Sequence, residues 1–155
     1  MNKDVLISNL EQYFKLQELV DEPTFLKYGK RCWSFLDAKL LYALWVIRED
    51  IGKPITINNW MWGGNFSQRG LRHNQSPMVK SKKGIYLSAH CLGKALDFDV
   101  KGVKAEEVRD WIVKNNHYFD FKIRLENKLN GKQINWVHLD TVDDPNNKKI
   151  HLFNV

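Results

Sequence analysis

Residues 122–141 read KIRLENKLNGKQINWVHLDT, and this stretch decides the fold. KIRLE (122–126) and INWVHLDT (134–141) read as two strands, and Asn130-Gly131 between them is a strong hairpin signal. Upstream, ALDFDV (95–100) alternates apolar and acidic residues as a half-buried strand does, and Lys101-Gly102 ends it. Asp97 and Asp99 then share one strand face while Phe98 takes the other. ITINNW (55–60) reads as a further strand from its β-branched residues. Two helices complete the pattern. Asp37 is a good N-cap for AKLLYALWVIRED, which stops at Gly52 and Pro54. Its buried face is expected to hold Leu40, Leu41, Leu44, Trp45 and Ile47. A second helix, about 104–116, places Val108, Trp111 and Ile112 on one face. The expected fold is α+β, an antiparallel sheet with helices packed against it.

The chain of 155 residues is sized for one domain, spanning 1–155. It divides into an aromatic-rich N-terminal wrap (1–36), a core (37–141) and a polar tail (142–155) that the patterning does not place. Hydrophobic residues at 43% and charged residues at 27% argue against disorder. No apolar run approaches the roughly 18 residues of a membrane span, and the N-terminus lacks the marks of a signal peptide. Synthesis in the cytoplasm is expected, so any action outside the cell needs a separate release route. Two cysteines, Cys32 and Cys91, are too few for a disulfide framework. Cys91 adjoins His90, which invites a metal reading, but a small buried hydrophobe is the simpler one. The net charge of +6 favours a polyanionic partner such as an anionic cell envelope. The basic residues are dispersed, which argues against nucleic acid. Residues 61–84, MWGGNFSQRGLRHNQSPMVKSKKG, form a loop long enough to be functional or mobile.

Chemistry concentrates in two runs, SAHCLGKALDFDV (88–100) and WVHLD (136–140). His90 and Asp97 are seven apart and cannot be neighbours on a helix. A turn at Gly93, where glycine admits unusual backbone angles, lets both approach one ion. His138 supplies a third ligand, with Trp136 and Asp140 on its face. Two imidazoles and one carboxylate leave a fourth position for water, the arrangement of catalytic zinc.

Ser-x-His-x-x-Gly-x-Ala-x-Asp (Ser88 to Asp97) followed by Trp-Val-His-x-Asp resembles the M15 peptidases, with the likeness running from about Ile55 to Thr141. These are zinc D-Ala-D-Ala carboxypeptidases and dipeptidases, together with phage endolysins that cut peptidoglycan stem peptides. The resemblance implies Zn2+ held by His90, Asp97 and His138 on an antiparallel sheet. It implies a phage or prophage lysin that acts on the cell wall after release, through a holin or as part of a virion. Many members carry a Glu three residues before the last histidine. Here that residue is Asn135, which cannot accept a proton. Other relatives place the Glu at the end of the preceding strand, and Glu126 fits that pattern. A three-residue tip at 130–132 pairs Glu126 with Trp136 and puts it on the face of His138; a two-residue tip turns it away. Asp140 is the second candidate base, or an orienting partner of His138. Members also carry an upstream arginine that polarises the scissile carbonyl or binds a carboxylate. SQRGLR offers Arg69, which is preferred, and Arg72. Ser88 is a candidate hydrogen-bonding group near the metal.

His73, His117 and His151 match no motif. Trp60 and Trp62 either line a groove or pack in the core. Two other readings compete. His138, Asp140 and a distal histidine imitate the triad of non-haem iron oxygenases, but that leaves the Ser88–Asp97 run unexplained. A catalytically impaired zinc protein, binding cell wall or serving as a phage structural part, requires both Glu126 and Asp140 to point away from the metal.

Overall fold

Asp37 accepts hydrogen bonds from the N–H groups of Lys39 and Leu40, and the helix it caps ends at Gly52 in the left-handed region. The computed structural model describes residues 2–143 and 148–155, so residues 144–147 of the expected tail lie outside the described residues. In chain order the helices are α1 (Lys3–Leu10), α2 (Glu22–Tyr28), α3 (Cys32–Phe35), α4 (Ala38–Ile51), α5 (Pro77–Lys80) and α6 (Ala105–Lys114). The strands are β1 (Ile55–Thr56), β2 (Ala95–Val100), β3 (Ile123–Leu129), β4 (Lys132–Asp140) and β5 (Ile150–Asn154).

The strands form one sheet in the order β1-β2-β4-β3-β5. All pairs are antiparallel except β3 with β5. The α+β class expected from the patterning therefore holds, with a parallel edge strand added by the unplaced tail. ITINNW is a strand only at Ile55–Thr56. Asn58 leaves the ladder because its N–H donates to the Glu18 carbonyl and its side chain bridges the Val20 carbonyl and the Arg69 N–H.

One sheet face carries Leu96, Phe98, Val137, Leu139, Ile123 and Leu125, all buried in the core. The inward face of α4 is Leu40, Leu41, Ala43, Leu44, Val46 and Ile47; Trp45 is only half-buried at its margin. Residues 1–36 join the same core through Leu6, Leu10, Leu19, Val20 and Leu36. On α6, Val108 and Ile112 are buried, Trp111 is half-buried, and Arg109 is unexpectedly 1% exposed.

The other sheet face is only partly covered, and the register arranges it in rows. Asp97 pairs with His138, His138 with Glu126, and Glu126 with Phe153, a row across four strands. The next row is Ala95, Asp140, Arg124 and His151. Of the two hairpin tips that the sequence leaves open, the two-residue one forms. Leu129 pairs with Lys132, leaving Asn130 and Gly131 as a two-residue turn with φ of 51° and 74°, the left-handed pair that Asn-Gly favours. Such a tip alone would turn Glu126 away from His138. A register shift between Glu126 and Lys128 brings it back, directly opposite His138 rather than Trp136.

Candidate metal centre

Asp97 on β2 and His138 on β4 meet because they are cross-strand partners, with His138 Nδ1 2.7 Å from Asp97 Oδ1. His90 arrives from the turn that precedes β2. Gly93 in that turn has φ +66°, and a Cβ there would collide with the Phe35 carbonyl, so only glycine fits. His90 Nδ1 lies 2.9 Å from the Gly70 carbonyl oxygen. Only a protonated Nδ1 can donate to that oxygen, which leaves Nε2 as the free nitrogen, 3.3 Å from Asp97 Oδ2. Gly70 is held so close to the Leu19 backbone that a side chain has no room.

The ligand atoms of His90, Asp97 and His138 lie within 4.8 Å of one another, and the three residues could hold a metal ion. The surroundings fit that task. Each imidazole is anchored through one nitrogen, His90 by the Gly70 carbonyl and His138 by Asp140 (Nε2 to Oδ2, 3.2 Å), and presents the other to Asp97. This division of labour is what metal-ligating histidines need from their supporting partners. Asp140 is fully buried and its oxygens face four donors. These are Arg124 Nε and Nη2 at 2.8 and 3.0 Å, the Val142 N–H at 3.0 Å and His138 Nε2.

Charge follows the geometry. Burial opposes ionisation of Asp97, yet His90 and His138 hold its carboxyl well below the usual range. Burial likewise opposes a charge on His138, but Asp140 and Asp97 push its pKa up to about 9. Burial lowers His90, and Asp97 only partly offsets this. Glu126 is raised by burial, with His138 pulling the other way.

The three residues open onto a cleft of about 390 Å³. Glu126 lines it but lies outside the ligand cluster, an adjacent carboxylate rather than a fourth ligand. Asn135 is exposed and does not line the cleft. Ser88 is buried in its wall. Of the two candidate arginines, Arg72 lines the cleft and Arg69 does not. Arg69 pairs with Asp99 and stacks on Phe66, away from the cleft. Arg72 lines the cleft, only 5% exposed, with Nη2 3.7 Å from Asp97 Oδ2 and Nη1 3.1 Å from Met78 Sδ.

The remaining histidines stay out of the cluster. His73 lies 3.5 Å from the buried Asp21, and His117 packs beside Tyr118. His151 sits on β5 in the second row, and the described residues hold no His138–Asp140–His151 metal group. Cys32 is buried and Cys91 partly so, neither with a ligand role in the cluster. Trp60 packs on Phe25 and donates to the Val20 carbonyl, while Trp62 is exposed under Lys15.

Four contributors escaped the reading of the sequence. Arg124 was findable, being two residues before Glu126 in an alternating strand and hence on the same face. Phe153, edge-on to His138 at 6.0 Å, comes from the unplaced tail. The Gly70 carbonyl and Lys82, which lines the cleft, lie in the irregular segment before β2, where no periodicity reports position. Among the described residues no helix is long and apolar enough to cross a membrane. Comparison with protein-family models, with curated proteins and with solved structures finds no match.

Proposed function

We propose that this chain is a zinc-dependent peptidase of M15 type that hydrolyses peptide bonds in peptidoglycan stem peptides, acting as a phage or prophage cell-wall lysin. The observation that carries the reading is the row Asp97, His138, Glu126 across three adjacent strands, with His90 Nε2 turned to its first member. It joins two imidazoles and a carboxylate to a second carboxylate on one cleft. The family assignment itself rests on the two motif runs.

His90, Asp97 and His138 would hold the ion. Zinc in such a set polarises a water and a substrate carbonyl. Glu126 takes the proton of the attacking water and passes it to the leaving amine; its burial-raised pKa suits both halves of that transfer. Asp140 is the orienting partner rather than the base, because all four of its acceptor positions are engaged. Arg72, on the cleft wall, steadies the oxyanion or a substrate carboxylate with its forked donors, and Ser88 trims the same wall. The impaired-protein reading requires Glu126 and Asp140 to point away from the metal residues, and both line their cleft.

The test is digestion of purified peptidoglycan by the zinc-loaded protein and by Glu126→Gln, with fragments analysed by mass spectrometry. Fragments ending at a stem-peptide amide, released by wild type and lost in the variant, are expected. No fragments from a zinc-loaded, folded wild type would overturn the proposal. The fragments also identify the bond, whether D,D-, L,D- or L-Ala–D-Glu.

A further inference from the structure

We infer that Arg109 on α6 is a positioning residue that holds β4 in the irregular register on which the place of Glu126 depends, an inference that rests on the proposed role of Glu126. Near the turn, Leu129 pairs with Lys132 and Lys128 with Gln133. Continued without interruption, that register would pair Glu126 with Asn135. Because side chains alternate along a strand, this would turn Glu126 to the face opposite His138. Instead Glu126 pairs with His138, a shift of three residues. An odd shift restores the face; an even one would not.

The shift leaves residues 134–137 of β4 opposite the single residue Asn127. On its other side, the β2 pairing of β4 ends at Val137. Residues 134–136 thus have no partner in either ladder, and their carbonyls need donors from elsewhere. Asn135 is exposed, and Arg109 supplies them to the other two of the three, Ile134 and Trp136. Its Nη1 donates to the Trp136 carbonyl at 3.0 Å and its Nη2 to the Ile134 carbonyl at 3.3 Å. At 1% exposure, the guanidinium is buried against the irregular stretch it bonds. Its fork matches two carbonyls two residues apart in a way that a lysine ammonium, a single point of charge, does not. The Asn-Gly turn favours one register and the metal face needs another, and Arg109 stabilises the second.

The experiment uses the full chain, zinc-loaded, as wild type, Arg109→Met and Arg109→Lys. Cross-strand NOEs between residues 126 and 138 report the register directly, without reference to activity. Arg109→Met is expected to lose them, gain contacts between 126 and 135, and exchange its hairpin amides at least tenfold faster. Zinc affinity should stay within about threefold of wild type, since the three ligands sit on β2, its preceding turn and the β2-paired part of β4. On peptidoglycan, kcat should fall about 100-fold, the range of a lost general base, with KM little changed and no further loss in a Glu126→Gln background. If Arg109→Met does not fold, Arg109→Lys decides, with mixed 126–138 and 126–135 contacts and about a tenfold loss of kcat expected. Undisturbed 126–138 NOEs and exchange in a folded Arg109→Met, or in Arg109→Lys where Met fails, overturn the inference. An inactive wild type overturns the peptidase reading instead, while the NOEs still decide the register.

Discussion

Replacing Asp140 by Asn separates its orienting role from that of a base. Four donors converge on this buried carboxylate, two from Arg124, one from Val142 and one from His138. An amide of the same shape keeps one acceptor oxygen and turns an NH2 group toward the other donors. If the oxygen stays on Arg124 Nε and the Val142 N–H, the NH2 meets Arg124 Nη2 and His138 Nε2. His138 escapes the clash by moving its proton to Nδ1, the nitrogen that faces Asp97. The ring then presents N–H where it should present a lone pair.

Two costs follow. Loss of a metal ligand's supporting partner weakens affinity by roughly 10–100-fold, about 1.4–2.8 kcal/mol. Two lost charge-assisted hydrogen bonds, at about 1.5–3 kcal/mol each, set an upper range near 3–6 kcal/mol for stability. The Arg124 side chain is 27% exposed and recovers part of this from water. Zinc affinity is read by competition with a chromophoric chelator, and the His138 tautomer by 15N shifts of its ring in the metal-free protein at a pH above 9. An Asp140→Asn variant that binds zinc within twofold of wild type, with the proton still on Nε2, would refute the orienting role.

Gly93→Ala should destabilise by about 2–4 kcal/mol, combining left-handed backbone strain with overpacking against Phe35, and lower Tm by roughly 5–15 °C; an unchanged melting curve would contradict the collision with the Phe35 carbonyl. Glu18 is buried and its pKa is raised, chiefly by burial and despite the hydrogen bond from the Lys15 N–H. Its ionised form therefore weakens the fold above the folded pKa, and the deficit disappears as pH falls below the unfolded value. Glu18→Gln, which can still accept from Lys15, should be the more stable protein at pH 7 and lose that advantage near pH 3; thermal melts at the two pH values check it. Arg72→Lys should cost at least tenfold in peptidoglycan hydrolysis while Arg69→Lys costs less than threefold, and the reverse order would restore the preference for Arg69.

The parts of the fold legible in the sequence are those governed by local chemistry. Asp37, Gly52 and the Asn130-Gly131 turn each specify a conformation through their own side chain or lack of one, and each does so in the structure. The grouping of His90, Asp97 and His138, which could hold a metal ion, was legible for a related reason. Alternation along ALDFDV and WVHLD assigns Asp97 and His138 to a face without any knowledge of pairing, and Gly93 announces the turn that admits His90. Arg69 and Arg72 were not separable, because three residues apart in an irregular segment no period says which one turns inward. The tail was opaque because β5 pairs in parallel with β3, a long-range contact that leaves no hairpin signal.

Glu126 shows where local and global preferences diverge. Its face depends on the parity of a strand shift, and parity is set by no residue in the hairpin alone. The Asn-Gly tip, taken by itself, predicts the wrong face. What reverses it is a guanidinium 17 residues earlier in the chain, satisfying carbonyls that a regular ladder would not have exposed. Under the proposed function Asn135 cannot serve as base, and Asp140, the carboxylate that shares β4 with His138, is already engaged by four donors. The shift of β4 against β3 places a second carboxylate, Glu126, on the face of His138. The irregularity in β4 is therefore better read as part of the site than as a defect of the sheet. Repairing it, by deleting three residues from 134–137 to give a continuous ladder, would leave the hairpin regular and put Glu126 opposite His138 through a path that needs no Arg109. In that shortened protein Arg109→Met should no longer alter the pairing of Glu126, which is the distinction between a residue that builds the register and one that merely packs beneath it.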